Sequence, residues 1–280
     1  MAIMKIYAST AVSLCLIGEV CAADLPRTTQ PLAPVAPVTE RSAFAGLSVS
    51  GGLGMSVLTN RVSRSYDYTN QYAGSPDAAE SGTIAATNHA FATTPHISLE
   101  YTMALPSDML LGVRASYQFN PPTASVDSET HNFANPNSRS DPLNGYGVIT
   151  RISGKNHFSA GMEMGYQLSK TMAVFTGLNY HNMIMNYRSS SRYTAGTLLT
   201  PVVSEANNGR HVDGVGVTVG VKHNFGSNWF IESNLEYTWY KPASITGPNF
   251  SSVGDEISLT QASKLTLSTF DSRIGVGYRF

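Results

Sequence analysis

From Phe44 onward, apolar residues recur at every second position in eight stretches of the chain. Leu47, Val49, Leu53, Met55 and Val57 share one parity, and Gly46, Ser48, Ser50, Gly52, Gly54 and Ser56 fill the other. The same period sets Ile97, Leu99, Tyr101 and Met103 against His96, Ser98, Glu100 and Thr102. It then sets Leu111, Val113, Ala115, Tyr117 and Phe119 against Gly112, Arg114, Ser116 and Gln118. Further stretches carry Phe158, Ala160, Met162, Met164 and Tyr166, then Val174, Leu178 and Tyr180, then Val215, Val217, Val219 and Val221. Ile231, Leu235, Tyr237 and Trp239 form the seventh; in the last, Ile274, Val276, Tyr278 and Phe280 alternate with Arg273, Gly275, Gly277 and Arg279. Successive side chains on a strand point to opposite faces, so each stretch predicts a strand with one apolar face and one small or polar face.

Connections between these strands sort by length. Pro106-Ser107-Asp108, Ser169-Lys170-Thr171 and Gly226-Ser227-Asn228 read as tight turns, whereas residues 59–93, 120–156, 188–210 and 241–264 are long and polar. Short turns alternating with long loops predict an all-β fold: an eight-stranded antiparallel transmembrane β-barrel with short periplasmic turns and four long extracellular loops. A soluble sandwich does not sort its connections this way. Phe158, Tyr166, Tyr180, Phe225, Trp229, Trp239 and Phe280 fall near strand ends, where interfacial girdles sit. An even strand count returns both chain ends to the periplasmic side.

The N-terminal region narrows the compartment. Lys5, the apolar run from Ile6 to Gly18 and the small residues around Val20-Cys21-Ala22 predict a signal peptide over residues 1–22, cleaved on export. Both cysteines, Cys15 and Cys21, lie inside it, so the mature chain is expected to have no disulfide. Residues 23–43 carry Pro26, Pro31, Pro34 and Pro37 and read as an extended periplasmic linker. The barrel is expected over residues 44–280. No other stretch approaches the roughly 18 continuous apolar residues of a membrane helix. An exported chain of this kind is either a soluble periplasmic protein or a closed barrel in the outer membrane.

Charged residues make up only 13% of the chain and the formal net charge is -1, which offers nucleic acid no basic surface. The ending, with Ile274, Val276, Tyr278 and the final Phe280 on one face, resembles the C-terminal signal by which bacterial outer-membrane barrels are recognised for assembly. Together with Leu235-Glu236-Tyr237-Thr238-Trp239-Tyr240 and Gly275-Val276-Gly277-Tyr278-Arg279-Phe280, the alternating strands resemble the opacity-protein-like outer-membrane β-barrel family. That family consists of small bacterial surface antigens and adhesins. The resemblance implies residence in the bacterial outer membrane and contact with its lipid. It also implies the barrel assembly machinery as a partner of the last strand, and host or cell-surface ligands as partners of the loops.

The inward parity collects Glu100, Arg114, Glu163, Lys222, Glu232, Glu236, Asp271 and Arg273. An eight-stranded barrel is just wide enough for side chains to fill, so these residues are expected to form a paired charge network rather than line an open pore. Glu100 and Arg114 lie equally far from the turn at Ser107, and Lys222 and Glu232 from the turn at Ser227, so each pair should oppose across its hairpin as a salt bridge. No catalytic, cofactor-binding or metal-binding residue is assigned. The seven histidines lack metal-ligand spacing, and His181 and His211, near the outer ends of their strands, read as exposed. No glycine motif cradles a phosphate. Three functional readings follow. One is a non-enzymatic surface protein with an adhesin or host-interaction role. The others are a porin-like narrow channel and a ten-stranded barrel enzyme in which Tyr146 to Ile152 form part of an extra hairpin.

Overall fold

A computed structural model describes residues 42–70, 78–132, 145–195, 198–246, 250–251 and 257–280. The expected signal peptide and all but the last residues of the expected linker lie outside them. Eleven strands are present among the described residues: β1 (Gly46–Asn70), β2 (Ala78–Ala104), β3 (Met109–Phe119), β4 (Thr123–Asn132), β5 (Gly145–Gln167), β6 (Met172–Ala195), β7 (Leu198–Asn224), β8 (Trp229–Tyr240), β9 (Ala243–Thr246), β10 (Phe250–Ser251) and β11 (Ile257–Arg279). The antiparallel order β1-β2-β3-β5-β6-β7-β8-β11 closes on itself through the β1–β11 ladder, giving an eight-stranded barrel. That ladder runs from Ser48 opposite Arg279 to Asn70 opposite Ile257. Gly52 permits its close approach: a Cβ there would lie 2.0 Å from the Ile274 carbonyl oxygen. At the first tight turn Ser107 and Asp108 both take positive φ, 62° and 59°, the twist that suits a hairpin.

The wall near the tight turns is apolar outside and polar inside. Leu53, Leu99, Val113, Met162, Leu178, Val219 and Ile274 are exposed, whereas Ser50, Glu100, Arg114, Glu163, Thr218 and Glu232 are buried. Phe91, Phe119, Phe158, Tyr180, Trp239 and Phe270 border this band on the side away from the turns, and Tyr166, Phe225, Trp229 and Phe280 border it beside them. An exposed apolar belt of this extent is stable against hydrocarbon, not water.

Beyond the band the polarity inverts, and here the structure departs from the sequence reading. Most of the long polar stretches are strand. β1 and β2 continue through residues 59–70 and 78–93, and β6 and β7 through residues 188–195 and 198–210. Tyr146 to Ile152 belong to β5, where they pair antiparallel with the preceding β4 as well as with β6; this β4–β5 hairpin adds no strand to the closed barrel, which has eight strands and not ten. Side chains in this upper part point apolar residues inward: Leu58, Val62, Ile152, Met183, Met185, Val212, Leu265 and Leu267 are buried together. Arg61, Ala85, Thr87, Arg151, Lys264 and Thr266 are exposed on the outside. On β1 the apolar parity switches between Val57 and Leu58, on β6 between Tyr180 and Met183, and on β11 between Leu267 and Phe270. On β5 a bulge between Gly154 and Asn156 makes the same switch. An alternation that reverses phase within one strand, with water as the new exterior, reads in sequence as a loss of pattern.

Prolines divide this upper part. Pro121 and Pro122 separate β3 from β4, with Asn120 at φ 51° before them, and Pro242 separates β8 from β9. Proline donates no ladder hydrogen bond. Among the described residues β4 pairs with β5 only and β9 with β11 only. The upper walls are thus two sheets, β9-β11-β1-β2 and β4-β5-β6-β7, packed through the apolar cluster.

Val219→Arg is expected to cost roughly 2–4 kcal/mol, because it places a charge within the apolar band, whereas Ala85→Arg, outside it, should stay within about 0.5 kcal/mol of the parent. Denaturant unfolding of the barrel in lipid vesicles measures both, and equal costs would refute the placement of the band.

Candidate functional site

The interior begins, at the turn end, with a floor of Phe44, Leu110, Ala173 and Phe175. Phe230 is buried beside them, in space left by Gly277, where a Cβ would lie 2.2 Å from its ring. The Arg279 guanidinium lies 5.4 Å from the Phe44 ring centre and 5.3 Å from that of Phe230. These inward aromatics share parity with the lumen positions, but sequence alone did not separate them from the outward ones.

Above the floor stands the first charged layer. Register places Glu100 opposite Arg114 and Lys222 opposite Glu232. The shortest ion pairs nevertheless cross the lumen instead of following the hairpins. Arg114 Nη2 donates to Glu232 Oε1 at 2.8 Å and Arg114 Nη1 to Glu163 Oε1 at 3.4 Å, while Glu100 Oε2 stands 4.0 Å away. The Lys222 ammonium donates to both carboxylate oxygens of Glu100 and lies 3.8 Å from Glu163 Oε2. The expected Lys222–Glu232 salt bridge is therefore corrected: each of those two pairs with the other hairpin. Long side chains rooted on one wall of a narrow barrel reach the far wall as readily as the neighbouring strand. Ser50 Oγ donates to Glu232 Oε1 at 2.6 Å and Thr102 Oγ1 to Glu100 Oε1 at 2.7 Å.

The remaining three charges form a second layer. Glu236 Oε2 lies 2.8 Å from Arg273 Nη2, and Asp271 Oδ2 lies 3.6 Å from the same nitrogen. Glu236 Oε1 accepts from Asn179 Nδ2 at 2.7 Å and from Thr218 Oγ1 at 2.9 Å. It also lies 3.0 Å from His181 Nε2. A hydrogen-bonded chain then crosses to the other carboxylate: His181 Nδ1 lies 2.9 Å from His157 Nε2, and His157 Nδ1 lies 2.8 Å from Gln118 Oε1. Gln118 Nε2 donates to Asp271 Oδ1 at 3.3 Å, and the Tyr240 hydroxyl lies 3.2 Å from His157 Nε2. His181 was expected at the surface and is fully buried; it sits on the inward parity of β6, beneath the apolar cluster that closes the lumen. His157 and His96 are buried as well. The missed signal is parity: His157 and His181 continue the inward rows of Ser159 and Asn179.

His211 is exposed, as expected, and belongs to a polar knot on the outer wall just beyond the band. Tyr180 Oη donates to Asp213 Oδ1 at 2.5 Å, Asn182 Nδ2 donates to the same oxygen at 2.9 Å, and His211 Nδ1 lies 3.2 Å from Asn182 Oδ1. Those two donors hold the Asp213 carboxyl below the usual carboxylate range. Among the described residues no three His, Cys, Asp or Glu side chains are placed to hold a metal ion. Ile274, Val276, Tyr278 and Phe280 line the outer face of β11 and its end, with Tyr278 edge-on to Trp229 and Phe280 at 5.1 and 5.2 Å between ring centres.

No family model matches the chain, and neither does any curated protein sequence. Solved structures do resemble it. The attachment invasion locus protein Ail of Yersinia pestis is 12% identical, with 85% of this chain and 100% of that one covered and a TM-score of 0.34. The outer-membrane protease OmpT of Escherichia coli is 10% identical over 83% and 97%, with a TM-score of 0.42. The outer-membrane protein OprG of Pseudomonas aeruginosa is 14% identical over 84% and 96%, also at 0.42. Two of these three are named as outer-membrane proteins. Their roles differ, and at such scores none bears on the role of this chain.

Arg114→Met should destabilise the barrel by about 3–5 kcal/mol, because it leaves Glu100, Glu163 and Glu232 around one ammonium in a confined space. Adding Glu232→Gln to that variant should recover part of the loss. Vesicle-based unfolding measures both; an Arg114→Met chain as stable as the parent would mean that the network contributes nothing.

Proposed function

We propose that this protein is a non-enzymatic outer-membrane surface protein. It is exported with a cleaved signal peptide and assembled through its C-terminal strand by the barrel assembly machinery. The barrel serves as a closed pedestal, and the two-sheet head beyond the apolar band faces the outside of the cell as a surface antigen or adhesin for host or cell-surface ligands. The observation that carries this reading is the stacked interior: an aromatic floor, two charged layers and an apolar roof, in a lumen of eight strands. A conducting path would have to pass through both apolar ends. The head supports the display role, since recognition resides on surfaces held by a rigid scaffold. The chemistry of a hydrolase needs a nucleophile beside a base at an accessible place, and the buried histidines offer no such access.

Two measurements test the proposal. In planar bilayers the purified barrel is expected to give no stepwise conductance; a steady ohmic step would favour the narrow channel. An epitope inserted at the Ser169-Lys170-Thr171 turn is expected to escape antibody on intact cells and to become reachable once the outer membrane is permeabilised. Staining of intact cells would invert the topology and remove the head from the cell surface.

A further inference from the structure

The outer wall of β6, β7 and β8 carries two features that meet at the border of the apolar band. The first is a groove in the band itself. Val215, Val217 and Val219 on β7 stand opposite Trp239, Tyr237 and Leu235 on β8. Valine projects less than those neighbours, so β7 forms a low stripe beside an aromatic ridge, where the Tyr237 and Trp239 rings meet edge-on at 4.6 Å. Val217, Val219, Leu235, Tyr237, Trp239 and Phe270 line the resulting hollow, which holds about 620 Å³ and opens outward. That volume lies within the roughly 300–1,000 Å³ of small-molecule sites. The second feature is the polar knot directly above. Register places Phe158, Asn182 and Asp213 in one row across the ladders, and the Lys241 amide continues it by donating to the Asp213 carbonyl at 2.8 Å. Tyr180, Val215 and Trp239 form the next outward-facing row down, at the top of the groove. Asp213 receives its hydrogen bonds from Tyr180 and Asn182 on Oδ1 alone, and among the described residues Oδ2 receives none. The exposed Lys241 ammonium likewise has no hydrogen-bond or ion-pair partner among them. Opposed residues hold their Cβ atoms about 4.5–5.5 Å apart, so the wall presents one anion and one cation at that spacing, above an apolar slot.

We propose that this wall binds a lipid with a phosphoethanolamine headgroup. The primary ammonium of the lipid donates to Asp213 Oδ2, its phosphate meets Lys241, and one acyl chain lies in the groove along Val217 and Val219. A short link joins ammonium to phosphate in that headgroup, so its opposite charges sit a few ångströms apart, as those of Asp213 and Lys241 do. Hydrogen bonds between charged partners are the strong ones, and Tyr180 and Asn182 hold the carboxylate in place to accept one. Charge complementarity selects this occupant. A purely anionic headgroup meets repulsion at Asp213, and a quaternary ammonium has no N–H to donate. The site rests on the membrane-spanning reading above, but not on which side of the membrane the head faces.

The full chain in detergent micelles carries its own reporter, since Trp239 lines the groove and the second tryptophan, Trp229, lies at the turn end of the barrel. In a Trp229→Phe background, a lipid brominated along its acyl chains quenches Trp239 when it occupies the groove. The probes are phosphatidylethanolamine, phosphatidylcholine and phosphatidylglycerol, all brominated alike, with soluble phosphoethanolamine as competitor. Phosphatidylethanolamine is expected to quench at a lipid fraction about tenfold lower than the other two, the size of one charge-assisted hydrogen bond. Asp213→Asn keeps an acceptor oxygen for Tyr180 and Asn182 but removes the charge, and should abolish that preference. Equal quenching by the three lipids in the parent, or an unchanged preference in Asp213→Asn, would overturn the site. Displacement of the lipid by equimolar phosphoethanolamine would assign the knot to a free headgroup and overturn the lipid assignment. A second variant holds if Asp213→Asn folds poorly. Val217→Phe leaves the knot intact and fills the groove, so it should raise the lipid fraction needed; no change would overturn the proposal. Flotation with phosphatidylcholine vesicles separates the two readings. A parent chain that fails to float overturns the membrane reading, whereas one that floats without headgroup preference overturns only the site.

Discussion

Every backbone amide that faces hydrocarbon must find its partner within the protein, and this requirement orders the rest of the molecule. It is met by the closed ladder from Ser48–Arg279 through all eight staves. Closure sets the width of the lumen, and the width decides which side chains fill it. Once five carboxylates and three cations share that space, each is placed by its strand parity and must find its partner inside the lumen. The exchange of partners, Arg114 with Glu232 and Lys222 with Glu100, ties non-adjacent walls together in a way that hairpin pairs would not.

The same requirement explains where ladders may fail. Asn120, Pro121, Pro122 and Pro242 all lie at or beyond the aromatic border formed by Phe119 and Trp239. There water can satisfy an unpaired carbonyl or amide, so a proline costs little. The two upper sheets are joined by apolar side chains inward and by occasional polar links, such as Arg210 Nη1 donating to the Ser244 carbonyl at 2.7 Å. Above the band the protein obeys the rules of a water-soluble domain, with a dry core and a polar surface, although it continues the same strands.

How much of this was legible follows from where the pattern is constant. The eight strands, their parity and the inward position of Glu100, Arg114, Glu163, Lys222, Glu232, Glu236, Asp271 and Arg273 could be read because lipid enforces a strict two-residue period over the band. Hairpin register was also readable, since Ser107 and Ser227 centre regular turns. The upper strands were not, because Leu58, Met183 and Leu265 carry the apolar face onto the opposite parity and the exterior becomes polar. Partner choice in the lumen escaped for another reason. Sequence spacing fixes neighbours along a ladder, whereas contacts such as His157–His181–Glu236 depend on how far side chains extend across a closed space. Phe230 and Phe175 were missed because an aromatic residue carries no label for inside or outside.

The proline breaks also shape how the protein bears load. A pull on the head acts first on side-chain packing between two sheets that, among the described residues, share no backbone ladder. Below the breaks the same pull meets a continuous cylinder whose hydrogen bonds must shear together. The weaker joint therefore lies outside the lipid, and strain there can be taken up by the sheets moving apart while the cylinder keeps its seal. An anchored protein built in this order yields at its tip before it breaches the membrane that holds it.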